Sequence, residues 1–408
     1  MDEGPATPAN TTQNKTGEAA SLNTPLTTPI APHIRRLRLT GFRSHQKLDL
    51  SCANGAVVIT GANGLGKTNV LEAISMLAPG RGLRSANLED LRFRDPQGIS
   101  CDGWTVLADI EGPMGSSRAG VAFEGEGGRR VRVDGETRRV DDLAQALPQL
   151  WLTPSMDRLF VDGASGRRKF LDRFAQTLDG ALARHLSAYE KAMRERNRLL
   201  QTPTRSLSSN PWLDALEDTM ALEGVAIAAS RLAALDALAV GLVSIPEAAF
   251  PRAEIALEGT LEAALRQSSA VDVEDGFRDR MRAARALDAS AGRSLEGSHR
   301  SDLQVVYAAK NMPAKECSTG EQKALLVGLI LAQAQSVAAR IGDVPVLLLD
   351  EVAAHLDSHR RAALAEILTH LGGQSWITGT EMEAFSGFAK NAPVTAIQMT
   401  PSGEAVTL

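Results

Sequence analysis

Gly61, Gly66, Lys67 and Thr68 fit the spacing G-x-x-x-x-G-K-[ST]. These residue types suit a chain of phosphates. Glycines let backbone N–H groups turn inward around an anion, and a helix beginning near Lys67 points the positive end of its dipole at the same charge. The Lys67 ammonium then faces the β- and γ-phosphates, and the Thr68 hydroxyl ligates Mg²⁺. The expected nucleotide cradle runs through Gly61, Ala62, Asn63, Gly64, Leu65, Gly66, Lys67, Thr68 and Asn69. A chance match has odds of roughly 1 in 100 in a chain of this length. The apolar run before the loop and the helical pattern after it lower those odds.

Two carboxylates near the other end complete the chemistry. VPVLLLDE (344–351) reads as a buried parallel strand ending in Asp350 and Glu351. By itself such a run is as readily a core strand with a solvated end. In a chain with a phosphate loop, Asp350 helps hold Mg²⁺ and Glu351 takes a proton from an attacking water, so Glu351 and Lys67 are the expected catalytic pair. Between loop and strand lies STGEQ (318–322). A Ser hydroxyl, a Gly N–H and a helix start all suit a γ-phosphate. The same residues also read as a capping box, Ser318 with Glu321 three residues on. The two roles are compatible.

The elements that must position these groups come from both ends of the chain. The 408 residues suffice for about two or three domains. Residues 1–32 are rich in Thr, Pro, Ala and Asn and are expected to be a disordered tail; no basic start with an apolar core marks a signal peptide. IRRLRLTGFRSHQKLDL (34–50) alternates like a strand hairpin, and 104–140 reads as a β-meander. Helical periodicity dominates from about Gly166 to Leu295, and strand–helix alternation resumes after 300. The expected fold is therefore an α/β P-loop ATPase head split in sequence, 33–165 and 297–408, with a helical domain inserted at 166–296.

Composition excludes little. The net charge of −5 does not announce a nucleic-acid binder, although arginine outnumbers lysine 35 to 9. The best apolar run, 232–245, is short and carries Asp236, so no transmembrane span is expected. Cys52, Cys101 and Cys317 have no metal-site spacing and suit a reducing cytosol, which points to a cytoplasmic protein.

STGEQ resembles the signature motif of the ATP-binding-cassette superfamily, and VAAHLD, ending at Asp357, resembles its D-loop. The resemblance implies that Ser318, Gly320, Glu321, Gln322 and Asp357 take part in nucleotide binding. Transporter cassettes hold the signature much closer to the P-loop, and chromosome-maintenance ATPases fill the gap with an immense coiled coil. A compact helical insert resembles the RecF recombination-mediator family. LRLTGFRSHQKLDL, ITGANGLGKTNVLEAISML, LTPSMDRLFVDGASGRRKFLDRF, EGSHRSDLQV and CSTGEQKALLVGLILAQA are similar to that family's successive motifs, from about 34 to 400.

The resemblance implies an ATP- and Mg²⁺-dependent weak ATPase whose hydrolysis switches a homodimer, each subunit's signature meeting ATP held by the other. It also implies binding to double-stranded and gapped DNA, work with RecR-type and RecO-type mediators, and loading of recombinase during replication-linked repair, with no membrane partner. Departures from the pattern are the missing switch-loop histidine, where Thr378 or Thr380 stands, and the lack of a clear glutamine loop, for which Gln149 is the candidate. Three basic groups are candidates for DNA backbone: Arg129, Arg130, Arg132, Arg138 and Arg139; Lys191, Arg194 and Arg198; and Arg278, Arg282 and Arg285. A rival reading is an ATPase of the same superfamily that remodels or gates a protein partner without touching DNA.

Overall fold

The computed structural model describes Met1 and residues 31–95, 97–98, 100–202, 210–354, 356–388, 393–400 and 404–408. The tail expected to be disordered lies, apart from Met1, Ala31 and Pro32, outside the described residues. In chain order the elements are β1 (His33–Phe42), β2 (His45–Ser51), β3 (Ala56–Thr60), α1 (Lys67–Ser75), β4 (Trp104–Gly112), β5 (Gly115–Phe123), β6 (Arg130–Val133), β7 (Glu136–Arg138), α2 (Leu143–Ala146), β8 (Gln149–Leu152) and α3 (Ala164–Leu178). Then follow α4 (Leu182–Gln201), α5 (Pro211–Val243), β9 (Ala253–Glu258), α6 (Thr260–Leu265), α7 (Ala270–Ala283), α8 (Arg285–Ala291), β10 (Asp302–Tyr307) and β11 (Met312–Pro313). The chain ends with α9 (Thr319–Ile341), β12 (Val346–Leu349), α10 (Ser358–Leu371), β13 (Ser375–Thr378), β14 (Val394–Met399) and β15 (Ala405–Thr407).

One six-stranded sheet has the order β15-β14-β3-β13-β12-β8, with β14 to β8 parallel and β15 antiparallel at the edge. Two of its strands come from before residue 153 and four from after 345, so the sheet closes only when distant parts of the chain meet. β3, β12 and β13 are buried along their whole lengths. This is why β3 and β12 read as near-continuous apolar runs and not as alternation.

The second six-stranded sheet, β2-β1-β4-β5-β6-β7, is an antiparallel meander. Trp104, Val106, Ala108 and Ile110 of β4 point inward at period two. They join Val70, Ala73 and Ile74 of α1 and Val57 and Ile59 of β3 in one core, so α1 is clamped between the two sheets. Truncating a residue such as Ile59 to Ala there costs about 2–5 kcal/mol.

Between α3 and α8 the chain is mainly helical, but it also contains a strand that the periodicity reading did not assign. β9 pairs antiparallel with β10, from Asp302↔Glu258 to Tyr307↔Ala253. The alternation AEIALE was its signal, too short to stand out among long helices. α5 and α9 are each long and apolar enough to cross a membrane by length and composition alone. They pack together in the larger core, which accounts for their apolar faces.

Candidate nucleotide site

The phosphate loop joins the end of β3 to α1. Gly61, Gly64 and Gly66 all have positive φ (137°, 86° and 88°), which side chains with a Cβ rarely adopt. A Cβ on Gly66 would also lie 2.8 Å from His45 Nε2. Gly66 caps α1, and no acidic residue occupies the helix's first turn, so its dipole is left for an anion. Lys67 is buried and folds back onto the loop, donating to Gly61 O (2.7 Å) and Ala62 O (2.9 Å). Burial pulls its ammonium below the usual lysine range, against the opposing pull of Glu351 and Asp350.

Asp350 follows β12 and is buried. Its Oδ1 accepts from Thr68 Oγ1 (2.9 Å) and from Thr378 Oγ1 (2.7 Å). Thr378 Oγ1 in turn accepts from the Glu351 N–H (2.9 Å). Glu351 itself has φ 50°, a left-handed backbone that turns its side chain out of the strand direction. A hydroxyl and a carboxylate of this kind are the hard oxygen donors that Mg²⁺ prefers, so the residues present fit that ion.

The β1–β2 turn supports the loop from the other side. Arg43, at φ 50°, forms a bidentate pair with Glu72 of α1 (2.8 Å at both oxygens), and Glu72 is 1% exposed. Arg84 reaches Glu72 Oε2 (3.3 Å) and Asn69 Oδ1 (3.1 Å), while Asn69 Nδ2 donates to Ser44 Oγ (2.8 Å). Sequence reasoning singled out Asn69 but missed Arg43, Ser44 and Arg84. No local spacing links them, because the contacts cross from a hairpin turn to a helix and to the loop after it.

Ser318 caps α9 and forms the expected capping box with Glu321. Glu321 also pairs with Lys310. Lys310 and the Ser318 N–H and hydroxyl hold its carboxyl down at about 2. Gly320 has open space beside it. Gln322 is turned inward: its amide donates to Cys317 O (2.8 Å) and Lys315 O (3.3 Å), so it braces the segment before the helix. Asp357 caps α10 by accepting from Arg360 N (2.8 Å). Thus the P-loop, Asp350, Glu351 and Thr378 form one cluster. Ser318, Gly320, Glu321 and Gln322 stand apart at the α9 N-terminus, with no hydrogen bond to the loop among the described residues.

The family model for the RecF/RecN/SMC N terminal domain matches residues 33–401. The DNA replication and repair protein RecF of Brucella suis biovar 1 (strain 1330) is 48% identical over 363 residues, covering 88% of this chain and 93% of the relative. The RecF of Mesorhizobium japonicum (strain LMG 29417 / CECT 9101 / MAFF 303099) is 47% identical over 369 residues, 89% of this chain and 96% of the relative. The chain belongs to the RecF family. A solved structure of the recombination mediator protein RecF with ATP, from the RecFOR pathway, superposes with a TM-score of 0.81 at 22% identity, covering 94% of this RecF-family chain and 99% of that one. That likeness concerns the fold.

Several sequence candidates are placed elsewhere by this RecF-family structure. Gln149 stands at the N-terminal end of β8, paired with Val346, whereas the carboxylates lie past the C-terminal end, beyond the Leu349↔Leu152 pair. Three residues of parallel strand put it about 10 Å along from that end, so it is not a glutamine loop. Arg129 donates to Met76 O (3.0 Å) and Ala78 O (2.9 Å) and closes the end of α1. Arg130 pairs with Glu124 and Arg138 with Glu136. Arg278 binds Asp218 and Asp275, Arg282 binds Asp214, and Arg285 is buried against Glu217 and Asp214. In that third group only Arg285 is internal; Arg278 and Arg282 lie nearer the surface, each paired with acids. Arg132 and Lys191 are exposed and carry no ion pair among the described residues; Arg194 and Arg198 have only exposed partners on their own helix.

Proposed function

We propose that this chain is an ATP-dependent DNA-binding recombination mediator: it binds ATP and Mg²⁺, dimerises on ATP, hydrolyses it slowly, and helps load recombinase on gapped or duplex DNA during replication-linked repair. RecR-type and RecO-type proteins are its proposed partners, and the cytoplasm its place. The observation that carries the reading is the line of hydrogen bonds Thr68–Asp350–Thr378–Glu351, assembled beside the phosphate loop in a chain of the RecF family.

In this account the loop's N–H groups and Lys67 hold the phosphates, with Lys67 exchanging its two carbonyl partners for phosphate oxygens. Thr68 and Asp350 would hold Mg²⁺, which supplies positive charge against the phosphates. Glu351, its backbone pinned by Thr378, takes the proton from water. Ser318 and Gly320 sit on an exposed helix start, separate from their own loop. This supports a head-to-head dimer in which each signature meets the partner's nucleotide, an isologous twofold arrangement. Gln322 acts as a brace, Glu321 as a cap, and Asp357 as a cap at the loop between the two sites. The split head (33–165 and 297–408) and the insert (166–296) form the working units.

DNA contact falls to the exposed face of α4, around Lys191, and to Arg132 of the meander, as backbone contact without base readout. Duplex and gapped oligonucleotides titrated with and without ATP, over a salt series, test this. Binding that needs ATP, falls steeply with salt and ignores sequence is expected. Binding equal without nucleotide would contradict the ATP requirement, and no binding with it would favour action on a protein partner alone.

A further inference from the structure

Lys169 and Arg173, one turn apart on α3, line a cavity of about 220 Å³ together with Arg84. Neither Lys169 nor Arg173 has a carboxylate partner among the described residues. Arg173 stacks over the Trp151 ring at 3.9 Å, and its guanidinium's one hydrogen-bond partner among the described residues is Met156 Sδ at 4.0 Å. Burial alone pushes it down to about 9. A partly buried cation without a counter-charge is costly, and an anion would offset that cost. Arginines buried more deeply in this protein are paired: Arg196 and Arg285 with Glu217, and Arg231 with Asp172.

The rest of the wall suits an oxyanion. Thr153 and Ser155 share one hydrogen bond (2.8 Å), which leaves each hydroxyl further capacity, and Ser85 lines the same space. The buried indole N–H of Trp151 has no partner among the described residues. Asp162, the acid on this wall, is engaged by Arg158 (3.2 Å). Leu159 and Phe170 form an apolar floor, where ion pairing is strengthened by the low dielectric. Two uncompensated cations and several hydroxyl and N–H groups exceed what a carboxylate's two oxygens can use. A phosphate group carries up to two negative charges and three or more acceptor oxygens, and matches them.

The cavity lies on the nucleotide-site rim without sharing the loop. Thr153 follows Leu152, whose partner Leu349 precedes Asp350, and Arg84 connects the wall to Asn69 and Glu72 of α1. We propose that this cavity is a second phosphate-group site, distinct from the P-loop, built on Lys169, Arg173 and the Thr153–Ser155 hydroxyls. The source is either phosphate released at the neighbouring nucleotide or a phosphate of a DNA backbone. Only the first source rests on the ATPase reading above.

The test is a titration of inorganic phosphate into the full chain carrying Lys67→Ala, which weakens the P-loop as a competing site. It is followed by calorimetry and by tryptophan fluorescence, with Trp151→Phe as the spectral control. One saturable site is expected. Lys169→Glu, at an exposed position, should weaken it at least tenfold, as should Arg173→Lys, while Arg266→Glu, exposed at the end of α6, leaves it unchanged. Short duplex DNA, titrated with ATP into the chain with an intact P-loop, then separates the sources: DNA affinity lowered at least tenfold by Lys169→Glu assigns the site to backbone phosphate, and DNA affinity that Lys169→Glu leaves unchanged assigns it to free phosphate. No saturable binding, or binding that Lys169→Glu leaves intact, overturns the proposal. Because the readout runs with the P-loop disabled, that failure leaves the ATP reading standing. Absence of ATP binding by the unsubstituted chain would sink the ATP reading alone.

Discussion

The Thr378 hydroxyl donates to Asp350 Oδ1 at 2.7 Å and accepts from the Glu351 N–H at 2.9 Å. One side chain at the end of β13 thus fixes both the carboxylate that adjoins Thr68 and the backbone that presents the base. Thr378 is wholly buried, so neither bond is exchanged for water without cost. Thr378→Val keeps the shape and removes both bonds. A stability loss of about 1–3 kcal/mol is expected, with ATP turnover reduced at least tenfold and ATP affinity changed far less. Thr378→Ser should restore most of the turnover. Equal turnover in the Val variant, by steady-state phosphate release, would show that the hydroxyl does not position the base.

Lys67→Ala removes the loop's side-chain cation. Its present bonds go only to Gly61 O and Ala62 O, so the fold should keep its stability to within about 1 kcal/mol. ATP affinity should fall at least tenfold in a calorimetric titration. Unchanged affinity would remove the loop from the account.

Glu321 ties the signature to pH. Its carboxyl is held at about 2 by Lys310 and by the Ser318 N–H and hydroxyl, below the usual 4.5. A depressed carboxyl contributes stability that is complete above the unfolded value and is lost as pH falls through the folded one. The difference in denaturation midpoint between the unsubstituted chain and Glu321→Gln should therefore be full above about pH 5 and close as pH falls from 4.5 towards 2. A difference that grows on acidification would contradict the capping geometry.

Glu217 lies fully buried between Arg196 and Arg285 and joins α4, α5 and α8. Glu217→Ala leaves two buried guanidinium groups short of a counter-charge and should cost about 3–5 kcal/mol. Arg130→Ala, which breaks an exposed pair with Glu124, should cost no more than about 1 kcal/mol. Equal effects in urea denaturation would mean that the network is not what holds these helices together.

Motifs whose function is carried by adjacent residues were legible. The P-loop needs its glycines and Lys67 within eight positions, and the apolar run before Asp350 announces a strand buried on both faces. Thr378 was flagged only as standing where a histidine was expected; its bonds to Asp350 and Glu351 depend on β12 and β13 lying parallel, which no local pattern states. The arginines misled for the same reason. Arg278, Arg282 and Arg285 sit at spacings that suggest an open basic face, but Asp214, Glu217 and Asp218 on α5 approach from about 70 residues away and neutralise them. Gln149 shows the same dependence on strand direction, which no local pattern states. Parallel pairing with β12 put it at the wrong end.

The central claim is that the signature of one subunit completes the nucleotide site of another. Mixing Lys67→Ala with Ser318→Arg subunits tests it most directly. A mixed dimer holds one site with an intact loop facing an intact signature and one site broken twice. Each variant alone should be nearly inactive, and an equal mixture should recover about a quarter of the unsubstituted ATPase rate, since half the dimers are mixed and each has one of two sites. No recovery on mixing, or Ser318→Arg protein that hydrolyses ATP at the full rate as a monomer, would contradict the account.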